Sequence, residues 1–135
     1  MADKYFIDTG AWFAYFYTRD QHHQDSVKIW SRIENRGTGL ITTNHVLDEL
    51  ATLLARRTSY DFSGNRLKEI YNSDILIERP SETDELKALD FFLKYADQKI
   101  SFTDCLSFVV MRKLEIRHVF IFDRHFAYAG FELIS

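Results

Sequence analysis

The sequence predicts an α/β protein with a mainly parallel central sheet covered by helices on both faces. Three observations predict it. Short apolar runs alternate with amphipathic helical stretches along the whole chain. There is one proline, Pro80, and no low-complexity tract or linker that would divide the chain. Two of the apolar runs stop on a carboxylate, at Asp8 and at Asp123. Parallel strands place all their C-termini on one edge, so these two acids belong to the same edge.

The elements follow in order. Tyr5-Phe6-Ile7 is a buried strand that stops at Asp8, and Thr9-Gly10-Ala11 turns tightly into a helix. Trp12 to Tyr17 is that short apolar helix, and Arg19 to His23 is a polar connection. Asp25 or Ser26 caps a second helix, whose apolar side is Val27, Ile29, Trp30 and Ile33. Leu40 to Thr42 is a second strand, and Thr43 or Asn44 caps a helix from His45 to Arg57. Thr58 to Asp61 breaks it, and Ser63 to Ser73 is helical again. Ile75-Leu76-Ile77 is a third strand, closed by Arg79-Pro80. Ser81 with Asp84 opens a helix that runs to Tyr95. Ala96 to Ile100 is a loop, and Ser101 caps a helix from Phe102 to Leu114. Val119 to Phe122 is a fourth strand running directly into Asp123, and Phe131 to Ile134 is a short edge strand.

A chain of 135 residues predicts one domain, 1–135, large enough to remove roughly two-thirds of its unfolded surface from water. The lone cysteine, Cys105, excludes an intrachain disulfide and a zinc site built on cysteines. It sits on an apolar helix, as an inert core thiol would. No apolar run approaches the ~20 residues of a membrane span, and Asp3 and Lys4 followed by a strand pattern do not resemble a signal peptide. A cytoplasmic location without membrane association is expected. The net charge of −3 argues against holding nucleic acid by overall charge, and clustered acids would need a bound cation to offset them.

Four acids carry the chemistry, each with a simpler alternative. Asp8 and Asp123 end strands, where an aspartate also serves as a turn or capping residue. Glu49 falls at the border of the apolar face formed by Val46, Leu47, Leu50, Ala51, Leu53 and Leu54, whereas Asp48 points away. A partly desolvated Glu49 is expected, though an ordinary boundary glutamate would look the same. Asp104 is the most informative. Its helix is apolar nearly all round, and it shares a face with Phe108 and Met111. Capping with Ser101 explains an acid in the first turn but not one on a buried face, where a carboxylate costs several kcal/mol unless compensated. Gathered on one edge, four like charges require a divalent cation, and an all-oxygen set suits Mg²⁺ or Mn²⁺. Two such ions support phosphodiester hydrolysis.

Phe6-Ile7-Asp8-Thr9-Gly10-Ala11, Val46-Leu47-Asp48-Glu49-Leu50, Ser101-Phe102-Thr103-Asp104-Cys105 and Phe122-Asp123-Arg124-His125-Phe126 resemble, in order, the motifs of PIN-domain ribonucleases. The likeness is to the VapC-type toxins of toxin–antitoxin pairs, and it covers essentially the whole chain. It implies a PIN-like three-layer sandwich with a parallel sheet. It also implies that Asp8, Glu49, Asp104 and Asp123 hold one or two Mg²⁺ or Mn²⁺ ions for RNA cleavage. Thr9 would orient the site, with Ser101 or Thr103 in support. Asp20 and His23 resemble a structural Asp-x-x-His feature. Gly10 stands where many members have serine. An RNA substrate, inhibition by a cognate antitoxin and a homodimer are further implications.

Competing readings meet specific obstacles. A phosphatase of the haloacid dehalogenase class needs a second aspartate where Gly10 stands. A phospho-receiver domain needs a lysine after a late strand, and the chain ends soon after Asp123. A non-catalytic PIN-fold binding or scaffold protein is expected to have lost one of the four acids. His22-His23 lacks a third nitrogen ligand for a transition metal. Arg56 and Arg57 suit a helix C-terminus through its dipole, or contact with RNA phosphate. The aromatic area around Trp12 and Trp30 fits either core or a partner surface.

Overall fold

The structure is a computed structural model and describes residues 4–35, 39–122 and 130–134. Among these residues, five strands form one sheet: β1 (Lys4–Ile7), β2 (Gly39–Thr43), β3 (Leu76–Glu78), β4 (His118–Phe120) and β5 (Glu132–Ile134). Their spatial order is β3-β2-β1-β4-β5, and every pairing is parallel. β1 is central. Phe6 pairs with Ile41 on one side and Val119 on the other. Tyr5, Phe6 and Ile7 are all buried, which is why this strand reads as a continuous apolar run rather than an alternation.

Among the described residues, six helices cover the sheet. α1 (Thr9–Phe16) and α2 (His23–Asn35) link β1 to β2, and α3 (Asn44–Arg57) and α4 (Tyr60–Tyr71) link β2 to β3. α5 (Glu82–Lys94) and α6 (Phe102–Lys113) link β3 to β4. α1 packs on α2 and α3, α3 on α4, and α5 on α6. Right-handed crossovers put the first four helices on one face and the last two on the other. The chain steps outward from β1 to β2 and β3, then returns to lay β4 on β1's other side. The winding reverses beside β1, and such a switch point opens a crevice at the strand C-termini.

Several boundaries differ from the sequence reading. α1 starts at Thr9 rather than after a turn, because Asp8 is already extended and its carbonyl accepts the Trp12 amide at 3.1 Å. α2 starts at His23, ahead of Asp25 and Ser26. There the Asp20 side chain accepts the His22 amide at 2.9 Å and forms the entry turn. α4 starts at Tyr60 because Ser59 caps it through the Phe62 amide. The loop from Ala96 contains a 3₁₀ turn, Ala96–Gln98. β4 ends at Phe120, so Ile121 and Phe122 already lie beyond the strand. Trp12 and Trp30 are both buried, with ring centroids 5.1 Å apart, so this aromatic cluster is core.

Thr42 ties three elements together. Its hydroxyl donates to the Ile7 carbonyl at 3.0 Å and accepts the Trp12 indole N–H at 3.3 Å. This fixes the start of α1, and with it Asp8 and Thr9, against the two central strands.

Candidate active site

Asp8 stands at the C-terminal end of β1, at the switch point. Its amide donates to the Phe120 carbonyl at 3.3 Å and prolongs the β1–β4 pairing by one residue. It holds the N-cap position of α1, yet its side chain makes no capping bond. The residue is only 6% exposed, and among the described residues Oδ1 has no hydrogen-bond partner. Burial pushes its carboxyl well above the ordinary carboxylate range. The charge of Asp104 adds to this, and that of Glu49 adds less, while the Thr9 and Gly10 amides pull the other way. The Thr9 and Gly10 amides offset only part of this, and Oδ1 stays buried and without a partner among the described residues, with the charges of two other acids acting on it.

Those acids come from opposite faces of the sheet. Glu49 is on α3, where Oε1 accepts the Thr9 hydroxyl at 2.9 Å. It is exposed, against the expectation of partial desolvation. The apolar face of α3 is narrower than the wheel suggests: Val46, Leu47, Leu50 and Leu54 are buried, but Leu53 is only half-buried. Asp48 is exposed, as expected. Asp104 is in the first turn of α6, half-buried ahead of Cys105 to Met111, all of which are buried. Its amide donates to the Ser101 hydroxyl at 3.1 Å, so Ser101 acts as the helix cap. Thr103 is half-buried in the same turn, and its carbonyl accepts the Ser107 hydroxyl at 3.1 Å.

Asp123 lies outside the described residues, so the convergence seen is that of Asp8, Glu49 and Asp104. Among the described residues, no three His, Cys, Asp or Glu side chains close up into a cage for an ion. Mg²⁺ does not require one: it keeps several waters and binds through one or two carboxylates plus substrate oxygens. The orphaned Oδ1 of Asp8, with two further carboxylates acting on it, is a donor set that fits such a hard cation.

Two clefts open at this edge, one lined by Asp8 and the other by its neighbour Thr9. One, of about 350 Å³, is walled by Asp8, Gly10, Phe13 and the His22–Phe122 pair, whose rings stack at 4.4 Å. The other, of about 520 Å³, runs along α3 past Thr9, Asp48, Glu49, Thr52, Leu53 and Arg56. Sequence reasoning missed Thr42 and Thr52. Thr52 was detectable, since it follows Glu49 by three residues and so shares its helix face.

The remaining candidates resolve simply. His23 Nδ1 lies 2.8 Å from the Ala14 carbonyl and so donates to it, and Asp20 shapes the preceding turn, as scaffold residues would. Cys105 is fully buried, and burial followed by the Asp104 charge pushes its thiol up to about 11, which leaves it protonated and inert at neutral pH.

Comparison with known proteins gives the same picture. The PIN domain family model matches residues 5–132. The "23S rRNA-specific endonuclease VapC20" of Mycobacterium tuberculosis is 30% identical over 126 residues, covering 93% of this chain and 94% of the relative. A "VapC ribonuclease" of Archaeoglobus fulgidus is 34% identical over 119 residues, covering 82% of this chain and 72% of the relative. The crystal structure of M. tuberculosis VapC20, described as a "Sarcin-Ricin loop cleaving toxin", superposes with a TM-score of 0.87 at 29% identity. The match covers 95% of this chain and 96% of that one. With an all-parallel sheet, acids gathered at its switch point and a match over nearly the whole length, the chain belongs to the PIN domain family.

Proposed function

We propose that this chain is a Mg²⁺- or Mn²⁺-dependent endoribonuclease, one domain over 1–135, and the toxin of a toxin–antitoxin pair. The observation that carries the reading is the buried carboxylate of Asp8, whose Oδ1 has no partner among the described residues, set against the charges of Asp104 and Glu49. The names of the relatives support the substrate class. Asp8, Glu49, Asp104 and Asp123 would hold one or two ions. Held there, such ions would supply Lewis-acid activation of a water and stabilisation of the leaving oxygen. The chain's own residues prepare that step. The Thr9 hydroxyl fixes the Glu49 carboxylate, Ser101 fixes the turn that carries Asp104 and Thr103, and the Thr42 ties hold Asp8 in place.

The partners in this reading are RNA, a cognate antitoxin and a second copy of the chain, and the compartment is the cytoplasm. No described helix is long and apolar enough to cross a membrane. The test is cleavage of total RNA, with ribosomal RNA followed separately, by pure protein with Mn²⁺. EDTA, Asp8→Asn, Asp104→Asn and Asp123→Asn should each reduce cleavage to background. Cleavage that survives chelation and all three substitutions would overturn the metal site. Growth arrest on expression, relieved by an adjacent small open reading frame, checks the toxin role.

A further inference from the structure

The cleft along α3 contains a cation that the acid chemistry does not explain. Arg56 lines it together with Glu49, Thr52 and Leu53. Seven residues separate Glu49 from Arg56, about two helical turns, which is the same helix face and ~10.5 Å along the axis. Arg56 is exposed, and among the described residues it forms no ion pair. A favourable place at the helix C-terminus is a reason for a cation in the last turn. It is equally a reason for Arg57, which does not line the cleft. The dipole therefore accounts for two arginines but not for one being turned into a groove that starts at Glu49.

The electrostatics of the groove point to its occupant. Its other charges, Asp48 and Glu49, repel a polyanion at the end nearer Asp8 unless a cation covers them, so the far end needs a positive anchor. Arg56 presents a planar fork suited to a phosphate. The Thr52 hydroxyl supplies a neutral donor, and half-buried Leu53 gives an apolar patch for a ribose or base. At the ~3.4 Å rise of a stacked strand, ~10.5 Å corresponds to about three nucleotides, and to fewer in an extended strand.

We propose that Arg56 is a positioning residue that grips a substrate phosphate one to three nucleotides from the scissile bond, and that the α3 groove is the track of the RNA strand leaving the site. This rests on the ribonuclease reading. In it, Arg56 supplies binding and register while the acids supply chemistry, so its loss should appear in KM and not in kcat.

Binding is measured with a fluorescein-labelled single-stranded 12-mer RNA in the Asp8→Asn background, where the strand stays intact, over a series of salt concentrations. Arg56→Gln should weaken binding several-fold and reduce the slope of log K against log[salt] by ~0.7, the value for one lost phosphate contact on a single strand. Arg56→Lys should recover the slope and only part of the affinity, and Arg57→Gln should leave the slope unchanged. In the otherwise wild-type protein, Arg56→Gln should raise KM several-fold with kcat within about twofold. An unchanged slope in Arg56→Gln, or an equal fall with Arg57→Gln, overturns the inference while the ribonuclease reading stands. A wild-type protein that cleaves no RNA with Mn²⁺ removes that reading, and the inference with it.

Discussion

Asp8 concentrates the physical tension of the molecule in one carboxylate. Its folded-state pKa is raised, chiefly by burial, so the folded chain holds the Asp8 proton more tightly than the unfolded chain does. The stability this contributes is complete below the unfolded pKa of ~3.9 and is lost as pH rises through the folded value. Metal-free protein should therefore lose Tm as pH rises from about 4 toward neutral. Asp8→Asn should flatten that decline, and Mn²⁺ should raise Tm at neutral pH in the wild type but not in Asp8→Asn. Differential scanning fluorimetry in EDTA and in Mn²⁺ checks this, and a wild-type Tm that rises through the same window without metal would contradict it. A strand-ending aspartate was legible from the sequence. That Oδ1 would have no partner among the described residues was not, because satisfaction of a buried atom depends on every neighbour packed around it.

At the scale of elements, local signals specified the helices best where a cap was present. Ser81 and Asp84 form the reciprocal capping box expected of that pair: the Ser81 hydroxyl accepts the Asp84 amide at 3.2 Å, and Asp84 accepts the Ser81 amide at 3.0 Å. Asp84 is held below its ordinary pKa, first by that Ser81 amide and then by Lys113, 3.2 Å away. A lowered pKa stabilises the fold above the unfolded value of ~3.9 and ceases to do so as pH falls through the folded one. Asp84→Ala should cost about 1–2 kcal/mol at pH 7, mostly from the cap because Lys113 is half-exposed, and markedly less at pH 3. Urea titrations at the two pH values give the comparison, and an equal cost at both would rule out the carboxylate's charge as the source. The starts of α1, α2 and α4 differ from the sequence expectation, because backbone geometry at α1, the Asp20 turn at α2 and the Ser59 cap at α4 set the first turn. The exposure of Glu49 was also misjudged. A helical wheel gives the direction of a side chain but not how far the neighbouring layer reaches over it.

For the whole molecule, α5 carries an unusual surface. Leu86, Leu89, Phe92 and Leu93 are all substantially exposed, Leu93 by 74%, and they recur at helical spacing. An apolar stripe of this kind marks a contact surface, and the homodimer in the proposed function would cover it. Light scattering should report a dimer at micromolar concentration and a monomer for the Leu89→Glu/Leu93→Glu double variant. A dimer that persists unchanged in that variant would place the interface elsewhere.

By itself the sequence determined the alternation of strands and helices, the parallel character of the sheet and the acid, Asp8, that closes its central strand. These follow from short-range causes: the period of apolar residues, the chemistry of caps and turns, and the shared direction of parallel strand ends. Tertiary structure alone decided the strand order β3-β2-β1-β4-β5, which sets the switch point beside Asp8. It alone joined Thr9 to Glu49 across 40 positions of sequence and turned Arg56 rather than Arg57 into the groove. Strand neighbours are chosen by contacts between distant segments, and an apolar run is compatible with several partners. The depth at which a carboxylate is buried, and hence its charge at neutral pH, exists only once those partners have packed.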